Sequence, residues 1–144
     1  MSVSREDVEW AGTVLAGRIN RTPTLRAPDL GVYLKAELFQ KTGSFKARGA
    51  FNRLTALTPE ERERGVVTWS AGNHAQAVAW AAAEAGVDCL VQMWQTASAF
   101  KVERARSYGA TVDVSSPDPA VAYDRTLEVV EREGRLFVHP HSDP

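Results

Sequence analysis

Only one cysteine, Cys89, stands in the whole chain, so no internal disulfide can form and a reducing compartment is the natural setting. It sits in the apolar run Val87-Asp88-Cys89-Leu90-Val91, where a small buried hydrophobe is expected rather than a nucleophile. Charge of one sign is lacking too. The 17 Lys and Arg against 18 Asp and Glu give a net charge of −1, too little to draw the chain to nucleic acid or an anionic membrane. No apolar run approaches the ~20 residues of a membrane span, and Arg, Glu and Asp stand where a signal peptide would be apolar. The expectation is a soluble, cytoplasmic protein. Proline and glycine, at 7 and 10, are too few for a fibrous or disordered chain, and no repeat or low-complexity tract is visible. Its 144 residues suffice for one compact domain, or for one domain and part of another.

What is present is a regular alternation of elements. Ser4-Arg5-Glu6-Asp7 reads as a capped helix start. Val8, Ala11, Leu15 and Ile19 continue at helical spacing, as one buried stripe, until Thr22-Pro23 breaks the run. An extended segment follows, with a strand over 32–38. A helix is predicted after Gly49, through Phe51 to Leu54. A shorter one starts at Thr58, with Pro59 in its first position, Glu61 completing a capping box and Gly65 at its end. Glu60-Glu61-Arg62-Glu63-Arg64 reads as a solvated face. From there strands at 66–69, 87–93, 111–114 and 136–138 alternate with helices at 73–85 and 99–108 and one starting at Asp118-Pro119. Tyr123, Leu127 and Val130 would line the buried face of the last helix. Such alternation means right-handed βαβ units: an α/β fold with a small parallel sheet flanked by helices.

Two segments fall where this architecture places ligands. In Lys41-Thr42-Gly43-Ser44-Phe45-Lys46-Ala47-Arg48-Gly49-Ala50, small residues permit close approach and Lys46 is presented at a helix start. A positive helix end and the apolar Phe45 would push that amine toward its neutral, nucleophilic form; the plainer reading is an ordinary surface lysine. In Trp69-Ser70-Ala71-Gly72-Asn73-His74-Ala75-Gln76 a strand ends and a helix opens. Unpaired N–H groups there suit a carboxylate or phosphate, with Ser70, Gly72 and Asn73 adding contacts; Asn73 serving only as a helix cap is the equal alternative.

Together the two segments resemble the fold type II pyridoxal-phosphate (PLP) enzymes, the tryptophan synthase β superfamily, in its threonine/serine dehydratase and serine racemase branch. Thr-Gly-Ser-Phe-Lys-x-Arg-Gly-Ala and Ser-Ala-Gly-Asn-His-Ala-Gln stand in the family's order. Arg21-Thr22-Pro23, Leu34-Lys35-Ala36-Glu37, Leu57-Thr58-Pro59-Glu60, Lys101 with Tyr108-Gly109-Ala110, and His139-Pro140 extend the likeness over nearly the whole chain. The resemblance implies that Lys46 carries PLP covalently and then takes the substrate's α-proton, and that Phe45 packs on the cofactor ring. It implies that Asn73 binds the cofactor's phenolic oxygen, while Ser70, Ala71, Gly72, Asn73 and His74 surround the substrate carboxylate. The implied reaction on L-threonine or L-serine gives a 2-oxo acid and ammonia. Racemases of this type use a second acid/base where Ala71 stands, so dehydration is favoured over racemisation.

The family's chain continues well beyond residue 144. Its Gly-rich phosphate loop has no counterpart here, so PLP binding is expected to be weak or absent and turnover slight. On this reading 1–57 are the N-terminal portion of an incomplete larger PLP domain, and 65–144 are a small α/β domain. The alternative is a non-catalytic module that binds a partner or itself. Trp69, Met93, Trp94 and Phe100 are the candidate exposed patch for a protein partner, and self-association or a homodimer is expected either way. His139 and His141 beside Asp143 suggest a metal, but no third ligand stands at sensible spacing, so none is expected.

Overall fold

The structure, a computed structural model, describes residues 3–141. Asp143 lies outside them. Ser4 caps α1 (Arg5–Leu15) reciprocally: its Oγ accepts from the Asp7 amide at 3.1 Å, and its own amide donates to the Asp7 carboxylate at 2.8 Å. The expected stripe does not form. Val8 is 62% exposed and only Leu15 of this helix is buried. The helix stops at Leu15, ahead of Gly17 (φ +73°), well before Thr22-Pro23, and Ile19 reaches the core from the turn beyond it.

The strand expected over 32–38 is shorter. Strands β1 (Thr24–Ala27) and β2 (Val32–Lys35) form an antiparallel hairpin, and Glu37–Phe39 turn into a 3-10 helix. An ion pair to Arg48 holds Glu37 in that turn. Helix α2 (Lys46–Thr55) begins at Lys46, earlier than expected. Its stripe of Ala47, Ala50, Phe51 and Leu54 is buried, and Gly49 merely lies on the exposed side.

Helix α3 (Pro59–Arg64) has the expected Thr58–Glu61 capping box. Its charges are not all solvated, however. The Arg62 guanidinium donates to the carbonyls of Leu54, Thr55, Leu57 and Ala85, and so occupies, among others, the carbonyls of the last two residues of α2.

Strands β3 (Val66–Trp69), β4 (Cys89–Trp94), β5 (Thr111–Ser116) and β6 (Leu136–Phe137) form one parallel sheet in the order β5-β4-β3-β6. They alternate with α4 (Asn73–Ala85), α5 (Ala99–Ser107) and α6 (Pro119–Glu133). The chain steps from β3 through β4 to β5 and then returns to the far side of β3. Right-handed crossovers therefore put α4 and α5 on one face and α6 on the other. Alanines 75, 77, 79, 81 and 82 are at most 1% exposed and let α4 sit close to both the sheet and α2, in one core that runs from Leu15 to Val138.

On α6 the buried residues are Ala122, Thr126 and Val129, while Leu127 is 43% exposed, so the inward face is rotated from the expected one. The polar Thr126 is tolerated there because its hydroxyl donates to the Ala122 carbonyl at 2.8 Å. Met93 is fully buried, which removes it from the expected patch. Strand alternation turns it into the core and the next residue, Trp94, outward. Cys89 is 3% exposed and burial pushes its thiol up to about 12, as suits a buried hydrophobe. Among the described residues no helix is long and apolar enough to cross a membrane.

Candidate active site

In a sheet of this winding, ligands bind beyond the carboxyl ends of the strands, where the strand order reverses. That point lies between β3 and β6. A cleft of about 460 Å³ opens there, lined by Trp69 to His74 from the loop after β3 and by Pro140 and His141 from the segment after β6. Phe45 and Lys46 complete it from the start of α2, and Trp94 and Lys101 from the β4–α5 side.

Lys46 is half-buried, and its Nζ donates to the Pro140 carbonyl at 2.6 Å while lying 5.6 Å from the centre of the exposed Phe45 ring. The amine thus faces the cleft rather than bulk solvent. Its backbone is held by a neighbour in the same segment. Arg48 grips both Glu37 oxygens, at 2.8 and 2.6 Å, and the Thr22 hydroxyl donates to the same carboxylate at 2.5 Å. Hydrogen bonding from Arg48 holds the Glu37 carboxyl down at about 2, from its ordinary 4.5. Because that value is lowered on folding, the pair's stabilisation is complete above pH 4.5 and is lost as pH falls toward 2. Arg48→Ala is expected to cost about 1–2 kcal/mol and to flatten the acid dependence in that window, as read from urea midpoints against pH. An unchanged acid profile would rule the pair out as the cause.

Gly72, extended at φ −130°, caps α4, and its amide donates to the Ser70 Oγ at 3.1 Å. Asn73 is therefore the first helical residue, not the cap. Its side chain is exposed in the cleft and among the described residues its amide makes no hydrogen bond. The first amides of α4, those of Asn73 and His74, have no intrahelical carbonyl to meet and suit an anion.

The His74 side chain is spent elsewhere. It is 8% exposed, with Nε2 3.1 Å from the Val138 carbonyl, and Thr68 Oγ1 donates to that same oxygen at 2.8 Å. Burial, opposed by the Val138 carbonyl, pushes the imidazole down from 6.5 to about 4. Neutral at physiological pH, with its proton on Nε2 facing the carbonyl, His74 has only its backbone N–H to donate to the cleft.

All seven residues singled out in the sequence (Phe45, Lys46, Ser70, Ala71, Gly72, Asn73 and His74) line this one cleft. Trp69 and Trp94, expected on a partner patch, line it as well, whereas Phe100 stands apart at 68% exposure. The place of Pro140 and His141 was not legible: only the pairing of β6 with β3 brings them across to Lys46. Among the described residues no group of three potential ligands could hold a metal.

A primary amine, an unpartnered carboxamide and a row of unpaired amides are a donor set that fits PLP and an amino-acid carboxylate. Comparison with known proteins agrees. The family described as pyridoxal-phosphate dependent enzyme matches residues 15–144. The chain is 40% identical to the L-threonine ammonia-lyase of Thermotoga maritima over 99% of itself and 37% of that protein. It is 46% identical to the phenylserine dehydratase of Ralstonia pickettii over 92% of itself and 40% of that protein. The solved structure of maize serine racemase superposes with a TM-score of 0.91 at 32% identity, covering 99% of this chain and 45% of that one. The chain thus spans less than half the length of these relatives.

Proposed function

As the chain belongs to the pyridoxal-phosphate dependent enzymes, with PLP as the family's cofactor, we propose that its cleft is one side of an ammonia-lyase active site. The reaction removes the β-hydroxyl and the α-amino group of L-threonine or L-serine and yields a 2-oxo acid and ammonia. One observation carries this reading: the Lys46 amine and the unpaired start of α4 face the same cleft at the sheet's switch point.

PLP, when bound, supplies a conjugated electron sink that acidifies the α C–H bond. Lys46 would hold it, and its Nζ, which now donates to the Pro140 carbonyl, would be the group that takes the α-proton. Phe45 would pack on the cofactor ring, and the Asn73 carboxamide would bind its phenolic oxygen. The substrate carboxylate rests on the Asn73 and His74 amides with the Ser70 hydroxyl beside it. Ala71 has no proton to deliver to the opposite face, which favours elimination over racemisation despite the likeness to a racemase. The division into 1–57, the opening portion of a larger PLP domain, and 65–144, a small domain, belongs to this proposal.

The test is a PLP titration followed by borohydride trapping and peptide mapping. Label is expected on Lys46 and is expected to vanish in Lys46→Arg. Label scattered over exposed lysines such as Lys35 and Lys41 would sink the reading. Residues 1–144 contain no Gly-rich run to cradle the phosphate, and losing ~4 kcal/mol of such contact weakens binding about a thousandfold. The 144-residue chain is accordingly expected to bind PLP weakly and to release little ammonia from L-threonine.

A second reading, a non-catalytic module that binds a partner or itself, is favoured by the hairpin and the turns around it. Leu30, Tyr33 and Leu38 are 71%, 71% and 68% exposed there. It requires the borohydride label to be absent from Lys46.

A further inference from the structure

Two indoles share the cleft with Lys46 and the start of α4. Trp69 ends β3 and Trp94 ends β4; both are half-buried, with ring centroids 6.3 Å apart at 45°. Trp69 is fixed from behind, since its Nε1 donates to the Pro119 carbonyl at 2.9 Å and Tyr123 meets it edge-on at 5.2 Å. On the same face of the sheet Val67, two residues before Trp69 and fully buried, already fills the core beneath. The two rings therefore lie above the core, at the cleft wall, where part of each stays in water. Leaving indole surface wet is unfavourable, and a methyl or hydroxymethyl side chain would cover little of it. An aromatic ring would cover it and gain edge or offset stacking as well.

The position is also right. Trp69 lies in the same turn as the amides of Asn73 and His74, and in an amino acid the β-substituent is attached one carbon from the carboxylate-bearing carbon. We infer that this cleft takes β-hydroxy-α-amino acids whose β-carbon carries an aromatic ring in preference to threonine, with the ring against Trp69 and Trp94. The inference rests on the proposed function in one respect, the seating of the substrate carboxylate on the α4 amides.

The test titrates the ¹⁵N-labelled 144-residue chain, without PLP, with L-threo-3-phenylserine and in parallel with L-threonine. Phenylserine is expected to bind about tenfold more tightly and to move the indole N–H resonances of Trp69 and Trp94 together with the Asn73 and His74 amides. Trp10, 68% exposed on α1, and Trp80, stacked on Phe51 at 5.5 Å, are internal controls that should stay still. Trp94→Leu should abolish the preference, while Trp94→Phe should keep it. Equal affinities with movement of the Asn73 and His74 amides overturn the inference and leave the carboxylate site standing. A preference that survives Trp94→Leu overturns the inference too. If neither amino acid moves those amides, both the inference and the carboxylate site fall.

Discussion

Taking the chain from pH 7 to pH 4 is expected to remove about 3 kcal/mol of stability through one imidazole, that of His74. In the folded chain this group is held at about 4, against 6.5 in the open. Between those values the unfolded chain binds a proton that the folded chain refuses. Stability is therefore complete above about pH 6.5 and falls as pH drops toward 4, below which both states are protonated and the loss is finished. The cause is geometric. His74 is enclosed at the foot of α4 and its hydrogen-bond partner among the described residues, the Val138 carbonyl, already accepts from Thr68. Urea midpoints measured between pH 7 and pH 5, above the range in which Glu37 titrates, should rise with pH for the native chain and lie nearly flat for His74→Gln, whose amide can still donate to Val138. Parallel acid slopes in the two proteins would place the titrating group elsewhere. The effect bears on function because the same linkage holds the His74 amide at the cleft.

Gly65→Ala is expected to cost about 3 kcal/mol or more, lowering the melting temperature by roughly 10 °C. Gly65 has φ +80° and ψ −178°, a region open essentially to glycine alone. A Cβ there would come within 2.8 Å of the Asp88 carbonyl oxygen, and backbone does not yield as a side-chain tip would. Two sheet neighbours depend on this residue. Its carbonyl accepts from the Leu136 amide at 3.1 Å, and the next residue's amide donates to Asp88 at 2.8 Å. Relief of the clash would therefore move β3 against both β4 and β6, and with them the loop that carries Ser70 to Asn73. Thermal unfolding measures the cost directly. A Gly65→Ala chain that melts with the native one would show that this corner has slack.

Local chemistry was readable in the sequence wherever it is short-ranged. Ser4 and Thr58 cap the helices they were expected to cap, and the last helix starts at Asp118-Pro119 as expected, because such starts depend on residues three positions away. The βαβ alternation from Val66 onward followed from periodicity and turn residues, which are local too. Lys46 and Asn73 could be singled out because the motif around each is contiguous. The failures share a cause as well. The faces of α1 and α6 were misjudged because helical spacing marks an apolar stripe but does not say which neighbour covers it. Met93 was misplaced because a strand's inward side is set by its pairing in the sheet, and Arg62 because its carbonyl partners are set by how the end of α2, the turn after it and the end of α4 are packed together. Residue types and their spacing alone determined an α/β chain with two candidate ligand turns. That the turns face one another, with Pro140 on the lysine and two indoles along the wall, was decided by the return of the chain to the far side of β3. Handedness and burial govern that crossover, and they act between residues nearly a hundred positions apart.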